Sequence, residues 1–138
     1  MQPSKKVNAM TFAVTAPYVV ALTVIMIVLN TLVTIARIKT PISLGDSGND
    51  RLLEANRRHM NFIENVPMAV ILLALAEAGG AGATVLHVAG LALVALRLIH
   101  PFGISVTPPK RAARIIGSTG TKAVQIGLCV VLLMQHFT

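Results

Sequence analysis

The sequence predicts an all-α integral membrane protein, a four-helix bundle formed by a single domain over residues 1–138. Hydrophobic residues make up 54% of the chain and charged residues only 12%, which is more apolar surface than a soluble domain of this size needs. Apolar stretches near the ~20 residues that cross a bilayer recur along the chain. Most charged residues flank these stretches, as topology determinants do.

The boundaries of the spans follow from apolar length and turn chemistry. The first apolar stretch exceeds the ~7–15 residues of a signal-peptide core, so we expect it to be retained as a helix. Loop residues rich in Pro, Gly, Asp and Asn follow it, and Asp50 is the predicted N-cap of the second helix. Asn30, inside the first span, is predicted to hydrogen-bond to a neighbouring helix. The predicted spans are about 10–36, 51–77, 83–100 and 112–137.

The basic residues predict how the bundle is oriented. Nine of them lie on the side that holds the loops after the first and third spans, against two on the side of the termini. The positive-inside rule then directs the nine-residue side to the cytoplasm. The nine are Arg37, Lys39, Arg51, Arg57, Arg58, Arg97, Lys110, Arg111 and Arg114, and the two are Lys5 and Lys6.

Composition also excludes several functions. The net charge of +7 does not indicate nucleic-acid binding, because the basic residues flank apolar runs and Trp is absent. Cys129 is the only cysteine, so one chain contains neither a disulfide nor a cysteine metal site. The four histidines lack metal-ligand spacing, and we predict no metal.

A polar stripe at the start of the second span is the main indication of function. Arg57, Asn61 and Glu64 are spaced i, i+4, i+7, which puts all three on one face of a helix. Lipid cannot solvate these groups, so they must face protein or water. With the arginines at the other helix ends, they suit a small zwitterionic or polyanionic ligand. The alternative is that such pairs merely join helices while the remaining basic residues meet lipid headgroups.

The motif Arg57-x-His59-x-Asn61-x-x-Glu64-x-x-Pro67 resembles the signature of the MAPEG family, the membrane-associated proteins in eicosanoid and glutathione metabolism. A second, weaker likeness is Arg97-x-x-His100 followed by a loop and the arginines of residues 110–114. The resemblance covers essentially the whole chain in length, spans, loop sizes and charge placement.

The resemblance implies a homotrimer that binds glutathione as co-substrate between protomers near the cytoplasmic face. Arg57, Asn61 and Glu64 would hold the glutathione backbone and its charged ends, and Arg37 would assist. Either Arg114 or Arg111 would lie near the sulfur. A fixed cation in a dry site lowers the pKa of a thiol and so favours the nucleophilic thiolate.

One departure concerns tyrosine. Eicosanoid-active family members tend to carry tyrosines at positions that correspond here to His100 and Ile104, and the only tyrosine is Tyr18 in the first span. By resemblance His100 is a candidate glutathione contact in place of the phenol. The residues alone favour an interfacial, solvent-facing histidine.

The function that these expectations support is a glutathione-dependent transferase or peroxidase. It would act on lipophilic electrophiles or lipid hydroperoxides that arrive from the membrane lipids, and we expect it in a bacterial inner membrane. Two alternatives stay open. One is a non-catalytic glutathione-binding or scaffold protein. The other is a small four-span transporter, although the first span lacks the carboxylate that such transporters need.

Overall fold

In the part of the chain that the structure describes, four helices form a bundle and run alternately up and down. The computed structural model describes residues 12–106 and 111–137. The helices are α1 (Thr15–Ile38), α2 (Asp50–Ala78), α3 (Ala83–Ile99) and α4 (Arg111–Phe137), and a 3-10 turn (His100–Gly103) follows α3. The structure is 83% helical and its described part contains no strand, which confirms the all-α prediction.

All four segments are long and apolar enough to cross a membrane, with α3 and the 3-10 turn counted together over Ala83–Gly103. The predicted multi-pass membrane architecture is therefore confirmed. The predicted start of the first span, at residue 10, lies outside the described residues, as do Lys5, Lys6 and Lys110.

The N-cap of α2 differs from the prediction by one residue. Asn49 has an extended backbone, and its side-chain oxygen accepts a hydrogen bond from the Leu52 N–H at 3.0 Å. Asp50 is already the first helical residue. The prediction of Asp50 as the cap was wrong because either residue type can cap a helix, and only the backbone conformation shows which one does.

The buried apolar residues of the described chain form three clusters along the bundle. α1 packs mainly on α2 and α3 mainly on α4, while α2 also contacts α4. Large buried residues such as Leu22, Phe62, Leu73 and Leu93 fill the centre. Apolar side chains cover much of the outer surface as well, which is the pattern of a bundle that lipid surrounds.

The two ends of the bundle differ in charge. The basic end is where α1 and α3 finish and α2 and α4 begin; the opposite end is where α2 turns into α3. At the opposite end both carboxylate oxygens of Glu77 accept hydrogen bonds, from the N–H groups of Val14 (2.8 Å) and Thr15 (2.7 Å). The Tyr18 hydroxyl lies 2.7 Å from Nδ1 of His87. These contacts fasten α1 to α2 and α3.

Asn30 lies on an exposed face of α1 and within the membrane-spanning length. Among the described residues its side chain has no hydrogen-bond partner in the same protomer; the one bond at this position is from Thr34 Oγ1 to the Asn30 backbone oxygen, at 3.2 Å. The predicted bond to a neighbouring helix is therefore not made within one protomer.

Candidate functional site

A polar cleft opens where α2, the 3-10 turn and α4 meet at the basic end. Its volume is about 400 Å³. This volume falls within the range of ~300–1,000 Å³ that is typical of small-molecule sites. The cleft is lined by Arg57, Met60, Asn61, Glu64, His100, Ile104 and Arg114.

The polar stripe of α2 forms one wall of this cleft, as its spacing predicts. Arg57 and Glu64 are both exposed, and among the described residues neither side chain makes an ion pair or a hydrogen bond. They do not join helices within the protomer, so the helix-joining interpretation is not realised there. Both charges are available to a ligand.

Arg58, the next residue after Arg57, is bound to the protein on several sides. Its Nε and Nη2 donate to the Ile104 carbonyl at 3.0 and 2.6 Å, and Nη2 also donates to Glu54 at 3.0 Å. Glu54 in turn accepts from the Val106 N–H at 2.7 Å and from the Ser105 hydroxyl at 3.2 Å. This network anchors residues 104–106 to α2. Sequence reasoning missed it, although Glu54 and Arg58 have i, i+4 spacing.

Arg97 is only 1% exposed and holds Asn61, a residue of the cleft wall, although Arg97 itself does not line the cleft. Its Nη1 donates to the Asn61 side-chain oxygen at 3.1 Å, and its Nη2 donates to the Gly117 carbonyl and to the Thr121 hydroxyl. All these acceptors are neutral, and Nε has no partner among the described residues. The bond to Asn61 orients the amide, so its NH₂ group points away from Arg97.

His100 and Arg114 are brought together by two glycines. A Cβ added at Gly117 would lie 2.6 Å from the His100 Cβ, and one added at Gly103 would lie 2.1 Å from the Arg114 backbone nitrogen. The absence of these side chains lets the 3-10 turn pack directly on α4. His100 is only 3% exposed as a result, so the expectation of a solvent-facing histidine was wrong.

The other predicted site residues lie elsewhere. Arg111, the first residue of α4, is exposed and does not line the cleft, whereas Arg114 does. Arg37 donates to the carbonyl oxygens of Ile42 (3.3 Å) and Ser43 (2.9 Å) and is not part of the cleft within one protomer.

The cleft presents two guanidinium groups, Arg57 and Arg114, and one carboxylate, Glu64, that have no ion-pair partner within residues 12–106 and 111–137. Such a set complements a ligand that carries both acidic groups and an amino group. Among residues 12–106 and 111–137, no group of three His, Cys, Asp or Glu side chains is placed to hold a metal ion.

The MAPEG family model matches residues 15–134. The chain belongs to the MAPEG family. This confirms the resemblance seen in the Arg57–Pro67 motif.

Two curated relatives are the inner membrane proteins YecN of Escherichia coli strain K12 and of strain O6:H1 (CFT073). Each is 36% identical over 67 residues, which are 49% of this chain and 51% of the relative. The chain thus spans about half the length of the curated relatives that it matches. No solved structure matches it.

Proposed function

We propose that this MAPEG protein is a membrane-bound glutathione-dependent transferase or peroxidase, with glutathione bound in the polar cleft. One observation carries the proposal. Arg57, Glu64 and Arg114 line a single cavity and have no charged partner among the described residues. Unpaired charges at the edge of a membrane span are costly, and a ligand of complementary charge would offset that cost.

The charges of glutathione match those of the cleft. The tripeptide carries two carboxylates, one ammonium group and one thiol. Glu64 would accept hydrogen bonds from the ammonium group, and the planar Arg57 guanidinium would bind a carboxylate through two parallel hydrogen bonds. The Asn61 NH₂ group, which Arg97 orients, would donate to a backbone carbonyl of the tripeptide.

Arg114 would hold the sulfur as a thiolate, because a nearby cation favours the charged form of a thiol. The thiol proton leaves to water at the basic end. In transfer, the sulfur bonds to the electrophilic carbon and the leaving group departs with its electron pair. With a hydroperoxide, the thiolate sulfur bonds to the terminal oxygen as the O–O bond breaks, and the departing alkoxide takes a proton from water to leave as an alcohol. A second glutathione then converts the sulfenic acid to the disulfide and water.

The proposed assembly is a homotrimer with glutathione between protomers. Asn30 supports a protein partner on the face of α1 that it occupies, because an amide without a hydrogen bond at bilayer depth is costly. Arg37 lies on the same side of α1 and would contribute to the cleft of the adjacent protomer. The name of the relatives and the excess of basic residues support a bacterial inner membrane, with the cleft toward the cytoplasm.

The proposal is tested by ultraviolet difference absorbance of the detergent-purified protein with glutathione. Wild type and Arg111→Ala are expected to develop the thiolate band, and Arg114→Ala is expected to lose it. Calorimetry on the same samples measures whether glutathione is bound at all. Absence of both the band and the binding heat in wild type would contradict the assignment of glutathione.

The non-catalytic alternative has one observation in its favour. The cleft contains no tyrosine, and Tyr18 contacts His87 at the opposite end. Glutathione binding without a thiolate band, and without conjugation of a model electrophile, would favour a binding or scaffold protein over an enzyme.

A further inference from the structure

A second cavity, of about 610 Å³, is not part of the polar cleft. This apolar groove runs between α1 and the end of α3, and α1 residues between Val24 and Leu32 form one wall. Leu98 and Phe102 form much of the other wall. Val28 is 53% exposed and Phe102 is 70% exposed, so the groove opens toward the bilayer.

A smaller basic pocket, of about 260 Å³, adjoins the apolar groove at the basic end of the bundle. The two cavities share Leu32 and Arg58 as lining residues. The basic pocket also contains Lys39 and Arg51, both exposed and, among the described residues, without an ion pair or a side-chain hydrogen bond.

The one acidic residue that lines the basic pocket does not neutralise these cations. Glu54 already accepts hydrogen bonds from Arg58, Ser105 and the Val106 N–H. The positive charge of Lys39 and Arg51 is therefore available at the end of an apolar channel, at the depth where the spans meet water. Basic pockets between membrane helices on the cytoplasmic side are typical sites for acidic lipid headgroups.

A second copy of the chain is a poorer occupant of the groove than lipid. On an α-helix of 3.6 residues per turn, the groove residues of α1 point roughly opposite to Asn30. The Asn30 face is the one that needs a hydrogen-bonding protein partner. The groove faces away from the Asn30 face, and every α1 side chain that lines it is aliphatic.

We infer that the apolar groove and the basic pocket together form a binding site for one anionic phospholipid. One acyl chain lies along α1 between Val24 and Leu32, and the phosphate group contacts Lys39 and Arg51. Neither basic residue belongs to the polar cleft, so the lipid site is independent of the proposed glutathione chemistry. Arg58 belongs to the lipid site. It also anchors residues 104–106, and Ile104 of that segment lines the polar cleft.

Native mass spectrometry of the detergent-purified protein tests this site. Phosphatidylglycerol and phosphatidylcholine with identical acyl chains are added separately, and oleate provides a single-chain anion. One phosphatidylglycerol per protomer is expected to bind in preference to phosphatidylcholine. Because each basic residue near the surface strengthens acidic-lipid binding several-fold, Lys39→Gln with Arg51→Gln is expected to weaken it about tenfold or more. Lys122→Gln removes an exposed charge from α4 and is expected to leave it unchanged.

The variant Val28→Trp tests the apolar part of the site because the larger side chain would fill the groove. The Val28 side chain is exposed, so the fold does not depend on it. It is expected to abolish phosphatidylglycerol binding while the oligomer stays intact by light scattering. Equal binding of the two phospholipids would overturn the inference. The inference would also be overturned if oleate bound as tightly as phosphatidylglycerol and its binding were unchanged by the Lys39 and Arg51 substitutions. That result would indicate a fatty-acid site. Dissociation of the oligomer by Val28→Trp, with lipid binding unaffected, would assign the groove to a second copy.

Discussion

The two ends of the bundle differ in whether their charged side chains have hydrogen-bond partners within the described protomer. At the opposite end, the Glu77 carboxylate accepts hydrogen bonds from two N–H groups at the start of α1, those of Val14 and Thr15. At the basic end, Arg57, Glu64 and Arg114 surround a cavity and bind nothing among the described residues. Glu77 is partly buried by these contacts, whereas Arg57, Glu64 and Arg114 are exposed.

The same contrast exists between neighbours in the sequence. Arg58 donates to Glu54 and to the Ile104 carbonyl, whereas Arg57 has no such partner in the described protomer. A charged side chain with a full set of partners holds the fold together, and one without partners is available for binding. Partner satisfaction thus separates structural from functional charges better than residue type does.

The largest effect is expected from a substitution of Arg97, which is buried in the core and also bonds to Asn61 in the wall of the cleft. Arg97→Ala removes the donor to Asn61, Gly117 and Thr121 and leaves a cavity in the core. Unsatisfied buried acceptors and a cavity together predict a loss of about 3 kcal/mol or more in the free energy of unfolding. Titration with a denaturing detergent measures it. Lys122→Ala, on an exposed face, is the control, and an equal loss in both variants would contradict the structural role of Arg97.

An intermediate effect is expected from the pair Arg57→Ala and Arg58→Ala. Loss of a charged hydrogen bond predicts a ~10–100-fold weaker glutathione affinity for Arg57→Ala, with the melting temperature unchanged. Arg58→Ala is expected to lower the melting temperature, because it releases Glu54 and residues 104–106. Calorimetry and thermal unfolding on the same preparations compare them. If Arg57→Ala lowered the melting temperature and Arg58→Ala lowered only the glutathione affinity, the proposed distinction between the two arginines would be contradicted.

The smallest effect is expected at the opposite end, from Glu77→Gln. The amide keeps one acceptor oxygen but loses the charge that favours a helix N-terminus, which predicts a loss of about 1 kcal/mol. Glutathione affinity is expected to equal that of wild type. Thermal unfolding and calorimetry check the two parts separately, and a fall in affinity without a fall in stability would show that the two ends are coupled.

Much of this protein follows from local pattern. Apolar length predicts four spans, and the i, i+4, i+7 spacing puts Arg57, Asn61 and Glu64 on one face, because helix geometry is regular and needs no knowledge of neighbours. The family follows from the same motif. Even the one-residue error at the cap of α2 is small, since Asn49 and Asp50 differ in backbone conformation and not in capping ability.

Only the tertiary structure decided which charges have partners. The burial of His100 depends on Gly103 and Gly117, whose missing side chains let the 3-10 turn pack on α4. The same packing puts Arg114 in the cleft and leaves Arg111 outside it. Contacts between helices distant in the chain join residues with no regular spacing, so periodicity predicts the face of each helix but not what that face meets.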